Sequence, residues 1–415
     1  MNVSVSVSVS VSDLPEFWST TPTSRSTLDR LVITCRAGFE PECGQEIRSL
    51  AHEAGIGGDA TVTSGSAFVV FRTSDPHDAH DLMSAIRFDR LVFGRQWFAC
   101  LPRLEGLPSK DRLSPVLAAA RSLGTTFSHV DVEAPDTDEG RDLMTFCRKF
   151  SAPLVSALTR EGLLAPGRPV PRLHAFYMSS GVADLGVSDP DNSSPWFMGI
   201  PRLRMPRGSP SRSVLKLDEA WHTFIPAGDW DRVLARGMRA VDLGASPGGW
   251  TLLLARRSML VTAVDNGPMD RAVMGTGQVE HLRADGFTYE PRAPVDWVVC
   301  DMVEQPSRVA KLMVKWIGRG LADRAIFNLK LPMKKRWAEL QRCREIVTDG
   351  LAAAGVRADF RMKHLYHDRE EVTAYLARVE AGPRMPRGGR ALKRRSGRGR
   401  GSSPPSRACR GGGRS

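Results

Sequence analysis

The sequence predicts an α/β protein in which a doubly wound, mainly parallel sheet follows a smaller α+β region. From residue 214 onward, apolar strand-like runs alternate with helix-length segments, an order typical of parallel sheets. A glycine-rich stretch, residues 242–250, lies between one such strand and the next helix. The chain has 415 residues, of which 41% are apolar and 25% charged, as expected for two or three globular domains.

The elements of the first half are short and varied, as in a small α+β unit. We predict strands at 31–35 and 67–71 and helices at 40–54, 114–124 and 141–164. The acidic stretch 131–142 is predicted to be a solvated loop or face, which argues against RNA contact there.

The second half contains the repeating order of strand and helix. We predict strands at 240–243, 259–264, 297–301, 325–329, 360–365 and 372–379, and helices at 250–257, 307–321 and 337–354. The last two strands should close the sheet. The predicted division of the chain is a disordered extension (1–29), an α+β region (30–180), a basic linker (181–212), the doubly wound domain (213–380) and a disordered tail (381–415).

The positive charge is concentrated at the carboxyl end. Residues 381–415 hold ten arginines, one lysine and no acidic residue, which accounts for nearly all of the formal net charge of +12. The body of the protein should therefore contact nucleic acid through local patches, while the tail adds a salt-sensitive attraction. Two patches are rich in basic residues: Arg202, Arg204, Arg207, Arg212 and Lys216, and Lys334, Lys335 and Arg336.

Several classes of protein are disfavoured by composition. No apolar run approaches the ~20 residues of a membrane-spanning helix, and the first residues do not follow the pattern of a secretory signal. The seven cysteines are scattered without a C-x-x-C pair, so we expect reduced thiols and no metal site. These features predict a cytoplasmic protein without a membrane partner.

The glycine-rich stretch from Asp242 to Trp250 is a candidate nucleotide-type site. Glycines at the start of a helix let the backbone approach a ligand, but the spacing is not the G-x-G-x-x-G of dinucleotide sites. S-adenosylmethionine fits better, because Asp265 ends the second strand, where it could accept from ribose hydroxyls. Asp285 should follow the third strand of the sheet, to which no range is assigned, and is suitably placed to contact the adenine.

Four charged residues indicate the chemistry. Lys216 precedes the glycine-rich stretch, Asp301 and Lys330 end strands, and Glu371 opens the last strand. Since strand ends gather over the crevice of a doubly wound sheet, Asp301 and Lys330 should meet there.

This K-D-K-E order after a D-L-G-x-x-P-G-G-[FW] loop resembles the ribose 2′-O-methyltransferases of the FtsJ type. The resemblance is closer to one branch, the bacterial 23S rRNA cytidine 2′-O-ribose methyltransferases (the RlmM branch), and covers roughly residues 30–380. The segments that carry it are 35–40, 94–98, 146–150, 198–203, 264–269 and 366–372. It implies a ferredoxin-like and THUMP RNA-binding region before a Rossmann-like class I methyltransferase domain.

The resemblance also implies roles for single residues. Cofactor contacts fall on Ser213, Ser246, Pro247, Gly248, Gly249, Asp265, Asp285 and Asp301. Lys330 would be the proton acceptor, with Asp301 and Glu371 orienting it and Lys216. Members of the branch often have Cys where Ser246 stands. The implied partner is 23S rRNA or a large-subunit precursor, with the target in the peptidyl-transferase loop, and we expect a monomer.

A ribose hydroxyl must lose its proton as it attacks a sulfonium methyl group, so a positioned base is needed. Lys330 can act only when neutral. Burial beside the cation Lys216 would lower its pKa, while Asp301 and Glu371 would raise it, so its resting protonation is left open.

Two other functions compete with ribose methylation. A cytosine C5 methyltransferase needs a cysteine nucleophile, and Cys300 precedes Asp301, although adjacent side chains of a strand face opposite ways. An amino methyltransferase is disfavoured because no Asn-Pro-Pro-Tyr-like motif occurs. A catalytically silent rRNA-binding assembly factor is the third reading, against which the intact set of two lysines and two carboxylates argues.

Overall fold

The computed structural model describes residues 28–75 and 78–379, and these are built around two seven-stranded sheets. Most of the predicted extension (1–29) and the predicted tail (381–415) lie outside the described residues. The elements of the first region are β1 (Arg30–Thr34), α1 (Glu40–Glu53), β2 (Gly58–Val62), β3 (Phe68–Thr73), α2 (Asp78–Ala85), β4 (Gln96–Cys100), α3 (Leu113–Ser122), β5 (Val130–Glu133), α4 (Asp138–Arg160), β6 (Arg172–Ser179) and β7 (Val182–Ser188).

The first sheet has the strand order β2-β3-β1-β4-β7-β6-β5 and is antiparallel apart from the pair β5 and β6. It is continuous because β4 pairs with β7 at Ala99↔Val187 and Cys100↔Gly186. A Cβ at Gly186 would lie 2.5 Å from the Ala99 carbonyl oxygen, so this close approach requires glycine. β7 occupies residues that the sequence assigned to the linker, and the first region extends through it.

The prediction of a solvated acidic stretch at 131–142 is wrong for its first residues. Asp131 and Glu133 lie on β5 and are only 9% and 1% exposed. They are buried because basic partners on β6 pair with them: His174 Nδ1 lies 2.7 Å from Glu133 Oε1, and Arg172 Nε lies 3.8 Å from Asp131 Oδ2. A buried charge is tolerated when it is paired in this way.

The second region confirms the doubly wound, mainly parallel sheet. Its order is β10-β9-β8-β11-β12-β14-β13, and only β14 runs antiparallel to its neighbours. Its elements are α5 (Val214–Phe224), α6 (Trp230–Val233), β8 (Arg239–Leu243), α7 (Gly249–Arg256), β9 (Leu260–Val264), α8 (Arg271–Met274), β10 (Val279–Leu282), β11 (Val295–Cys300), α9 (Pro306–Gly318), β12 (Ala322–Lys330), α10 (Arg336–Ala353), β13 (Ala358–Lys363) and β14 (Glu371–Arg378). The strand order reverses between β8 and β11, where such sheets bind ligands.

The two regions share one hydrophobic core, which includes side chains of α1 and β4 as well as of α9, α10 and β12. Polar contacts complete the junction. The His364 backbone N–H donates to the Val92 carbonyl oxygen at 2.8 Å, and Lys363 Nζ donates to the Leu91 carbonyl oxygen at 2.9 Å. The described residues accordingly form one compact unit.

Arg336 does not belong to a free basic patch with Lys334 and Lys335, as the sequence had suggested. Its side chain is 17% exposed and reaches Glu370 Oε2 at 2.6 Å, with its guanidinium 4.3 Å from the centre of the Phe39 ring. The other two lysines are exposed. Within the part of the chain that the structure describes, no helix combines the length and apolar character needed to cross a bilayer.

Candidate active site

The glycine-rich loop joins the end of β8 to the start of α7. Gly248 has a φ of 113°, in the left-handed region that favours glycine, and an added Cβ there would lie 2.9 Å from the Met269 side chain. A Cβ at Gly249 would lie 2.5 Å from the hydroxyl oxygens of both Ser211 and Ser213. Larger residues at either position would push the loop away from its neighbours.

Ser213, a predicted cofactor contact, lies against this loop. The Trp250 indole N–H donates to the Ser213 carbonyl oxygen at 2.9 Å. Ser213 directly precedes α5, which carries Lys216 within its first turn. The hydrogen bond therefore connects the glycine-rich loop with the charged part of the predicted site.

Asp265 follows β9 and is held beside the loop. Its Oδ2 accepts the Ser246 backbone N–H at 3.0 Å, and its Oδ1 accepts the Gly267 N–H at 2.6 Å. Each carboxylate oxygen has a further lone pair that a hydroxyl group could use. Asp265 thus orients the loop, and its predicted role as acceptor from a ribose remains a prediction.

Asp285 is exposed in the loop after β10, where its Oδ1 accepts the Phe287 backbone N–H at 2.9 Å. The neighbouring Gly286 is buried, and a Cβ there would lie 2.9 Å from Met302 Sδ. Because Met302 directly follows Asp301, this packing brings the Asp285 loop beside the end of β11.

The four charged residues predicted from the sequence meet in one place, and we call them the charge cluster. Lys330 Nζ donates to Asp301 Oδ1 at 2.5 Å and lies 3.8 Å from Glu371 Oε2. Lys216 Nζ pairs with Glu371 Oε1 and lies 3.7 Å from Asp301 Oδ2. Their side chains are between 9% and 20% exposed, so two lysines and two acidic residues alternate in a partly buried ring.

The topology explains why these residues meet. Asp301 follows β11 and Lys330 ends the adjacent parallel strand β12, so both lie at the same edge of the sheet. Glu371 opens β14 and is the register partner of Lys330 across the antiparallel pair. Lys216 comes from α5, which packs against β14.

The electrostatics of the charge cluster fix the protonation of Lys216. Burial alone would lower the pKa of Lys216, but the negative charges of Asp301 and Glu371 outweigh burial and raise that pKa. Lys216 is therefore held as a cation.

Asp242, on β8 before the glycine-rich loop, has a shifted pKa as well. Burial raises the pKa of Asp242 to about 7, and a 2.6 Å hydrogen bond from the Thr251 hydroxyl opposes this shift.

Three buried polar residues that the sequence analysis missed extend the charge cluster. Asn328 Nδ2 donates to Asp301 Oδ1 at 2.8 Å. Thr373 Oγ1 lies 2.8 Å from Asn328 Oδ1, and 3.1 and 3.0 Å from the two carboxyl oxygens of Asp368. These contacts link the cluster to the loop before β14.

A signal for two of them was present in the sequence. Asn328 is two residues before Lys330, and Thr373 is two residues after Glu371. Because alternate residues of a strand share a face, both should lie on the face of the cluster residues. They are also register partners of each other, which the sequence does not show.

The first predicted basic patch lies directly before this site and keeps its exposed character. Lys216 belongs to the charge cluster. The four arginines of the patch are exposed: Arg202, Arg204, Arg207 and Arg212. An exposed run of arginines directly before α5 in the sequence suits a polyanionic substrate.

Three family models match most of the described residues. The family model for the RlmM ferredoxin-like domain matches residues 28–98, the model for the N-terminal part of ribosomal RNA large subunit methyltransferase M matches 111–189, and the FtsJ-like methyltransferase model matches 210–322.

Relatives that align with this chain over nearly their whole length share one name. Proteins named "Ribosomal RNA large subunit methyltransferase M" from Cellvibrio japonicus (strain Ueda107), Pseudomonas syringae pv. tomato (strain ATCC BAA-871 / DC3000) and Serratia proteamaculans (strain 568) are 51%, 49% and 46% identical to the chain. The alignments cover 84%, 85% and 85% of this chain and 99%, 98% and 97% of those proteins.

Proposed function

Because the chain belongs to the family of the ribosomal RNA large subunit methyltransferases M, we propose that it methylates the 2′-hydroxyl of a cytidine ribose in 23S rRNA. Membership identifies the chain as an S-adenosylmethionine-dependent rRNA methyltransferase. The finer part of the proposal is that the methyl group goes to a ribose hydroxyl, that the nucleotide is a cytidine, and that Lys330 is the proton acceptor. One observation supports the ribose hydroxyl and the lysine base: Lys330 Nζ lies 2.5 Å from Asp301 Oδ1, at adjacent strand ends beside the glycine-rich loop. The cytidine rests on the resemblance to the RlmM branch.

The chain has a suitable donor set for the cofactor. S-adenosylmethionine supplies a methyl group bonded to a positively charged sulfur. The Asp265 carboxylate would accept from its ribose hydroxyls, and Asp285 would contact its adenine. The backbone of residues 246–249 and Ser213 would line the remainder, where added Cβ atoms at Gly248 and Gly249 would collide with neighbours.

Lys330 would take up the proton of the attacking hydroxyl on Nζ. A positioned base of this kind accelerates such a transfer by about 10²–10⁴-fold. Asp301 receives one N–H of Lys330, which orients the Nζ lone pair once the lysine is neutral. Lys216, held as a cation, balances the negative charge of Glu371.

The exposed arginines before α5 and the 23S rRNA backbone would attract each other through charge. We propose both naked 23S rRNA and a large-subunit precursor as substrates to be tested, in the cytoplasm, where rRNA is processed.

The structure disfavours the competing cytosine C5 reaction. Cys300 is fully buried in the core, and burial raises the pKa of its thiol to about 12. A nucleophilic cysteine must be a thiolate that can reach the substrate. Cys300 meets neither condition.

The test is methyl transfer from radiolabelled S-adenosylmethionine to 23S rRNA purified from cells that lack the protein. The RNA is digested to nucleosides, and we expect 2′-O-methylcytidine as the labelled product, formed far more slowly by Lys330→Ala. Labelled 5-methylcytidine would establish base methylation instead. If the folded protein binds rRNA and precursor particles but labels neither, the silent assembly role is correct.

A further inference from the structure

A buried chain of hydrogen bonds leads from the charge cluster to Asp368. Asn328 and Thr373 are completely buried and Asp368 is 1% exposed, so bulk water does not reach these groups. Their hydrogen bonds must therefore be completed by one another, which makes it possible to count the protons that each group needs.

The count starts at Asp301. Its Oδ1 accepts a hydrogen bond from Lys330 Nζ and therefore acts as an acceptor. The atom of Asn328 that faces this oxygen at 2.8 Å must then be the amide nitrogen, which donates. The amide oxygen of Asn328 then faces Thr373 Oγ1 at 2.8 Å and requires the only proton of that hydroxyl.

Thr373 has no second proton to offer to Asp368. Both carboxyl oxygens of Asp368 nevertheless lie close to Thr373 Oγ1, at 3.1 and 3.0 Å. If Asp368 were ionised, the lone pairs of its carboxylate oxygens would face the lone pairs of Thr373 Oγ1, with no proton between them and no water nearby. A carboxylic acid resolves the conflict, since Oδ1 can donate to Thr373 while Oδ2 accepts the Leu365 backbone N–H at 3.0 Å.

The surroundings of Asp368 act in the same direction. Burial raises the pKa of Asp368, and the negative charges of Glu371 and Glu219 raise it further. The Leu365 N–H and the cation Lys216 oppose this effect without reversing it.

We propose that Asp368 is a neutral carboxylic acid which, through Thr373 and Asn328, positions Asp301 and thereby Lys330. Asp368, Thr373 and Asn328 are positioning residues. Their hydrogen bonds all run in one direction: Asp368 donates to Thr373, Thr373 to Asn328, and Asn328 to Asp301. The consequence for the rate rests on the proposed function, whereas the protonation of Asp368 does not.

Two pairs of variants test the chain by single-turnover methylation of 23S rRNA at saturating cofactor. Asp368→Asn retains one donor and one acceptor in the same shape, so we expect a rate within about threefold of wild type. Thr373→Val removes the hydroxyl and should slow transfer by about tenfold or more. Thr373→Ser keeps a hydroxyl at this position and should restore the rate. Asp349→Asn, on the exposed face of α10, is the control for the same chemical change.

Infrared difference spectra of wild type minus Asp368→Asn at neutral pH test the protonation directly. We expect the C=O stretch of a carboxylic acid, with no such band for the Asp349→Asn control. A carboxylate band in its place would overturn the neutral acid, and wild-type transfer by Thr373→Val would overturn the positioning role. If wild type modifies no ribose, the proposed function fails, and the infrared result still decides the state of Asp368.

Discussion

Lys330 and Glu371 are directly opposite each other in the antiparallel pair of β12 and β14, and Lys330 Nζ lies 3.8 Å from Glu371 Oε2. Backbone register therefore sets the position of the proposed base. A slip of one residue would turn Lys330 to the other face of the sheet.

Lys330→Ala should abolish most methyl transfer without weakening cofactor binding, because the side chain faces the proposed site of the hydroxyl. We expect a loss of about 10²–10⁴-fold in single-turnover rate. Lys330→Arg should be similarly slow, since a guanidinium stays protonated and cannot accept the proton. Wild-type rates for Lys330→Arg would show that the residue acts as a positive charge and not as a base.

Asp265→Ala should weaken binding of S-adenosylmethionine. The carboxylate would accept from the ribose, and it also holds the Ser246 and Gly267 N–H groups in place. We expect calorimetry to show a dissociation constant about 10- to 100-fold higher. Asp231→Ala, at an exposed position of α6, is the control. Equal affinities of wild type and Asp265→Ala would remove Asp265 from the cofactor site.

Asp242→Asn should reduce the dependence of stability on pH. Burial raises the pKa of Asp242 to about 7, so between pH 4 and 7 the folded protein holds a proton that the unfolded chain has lost. The contribution of Asp242 to the free energy of unfolding therefore falls across this window, by up to roughly 4 kcal/mol. Urea denaturation from pH 5 to 8 should show a smaller decline for Asp242→Asn, and parallel curves would contradict the raised pKa.

Removal of residues 381–415 should lower RNA affinity mainly at low salt. This segment carries ten arginines and one lysine, whose contacts with phosphates release counterions but read no sequence. The slope of log affinity against log salt should become shallower, while the methylated nucleotide stays the same. An unchanged slope would exclude the segment from RNA binding.

The sheet of the second region and its charged edge could be predicted because the pattern is local. Apolar runs end in single charged residues, as where Lys330 follows Leu329, and a charge in that place is costly without a partner. A third strand was expected before Asp285, but the range of β10 was not predicted. Its four residues, Val279–Leu282, lie at the sheet edge and are only partly buried or exposed, so they lack an apolar run.

Other features depend on partners that are distant in the sequence. Glu133 is buried because His174 approaches from the next strand, and nothing near Glu133 in the sequence indicates this. In the sequence, Arg336 looks like a continuation of the two exposed lysines before it. In the folded protein α1 packs nearby, and Glu42 Oε1 lies 3.8 Å from the Arg336 guanidinium. Local composition predicts exposure for such residues, and tertiary pairing reverses it.

The core shared by the two regions means that the catalytic half is not an exchangeable cassette. A shortened protein that begins at Ser213 would lose the carbonyl partners of Lys363 and His364. It would also lose the contacts of Arg336 with α1 and the residues before it, and would expose apolar side chains of α10 to water. Recombination in evolution could attach new segments at either end of the chain. It could not readily transplant the methyl-transfer site without also carrying α1 and β4.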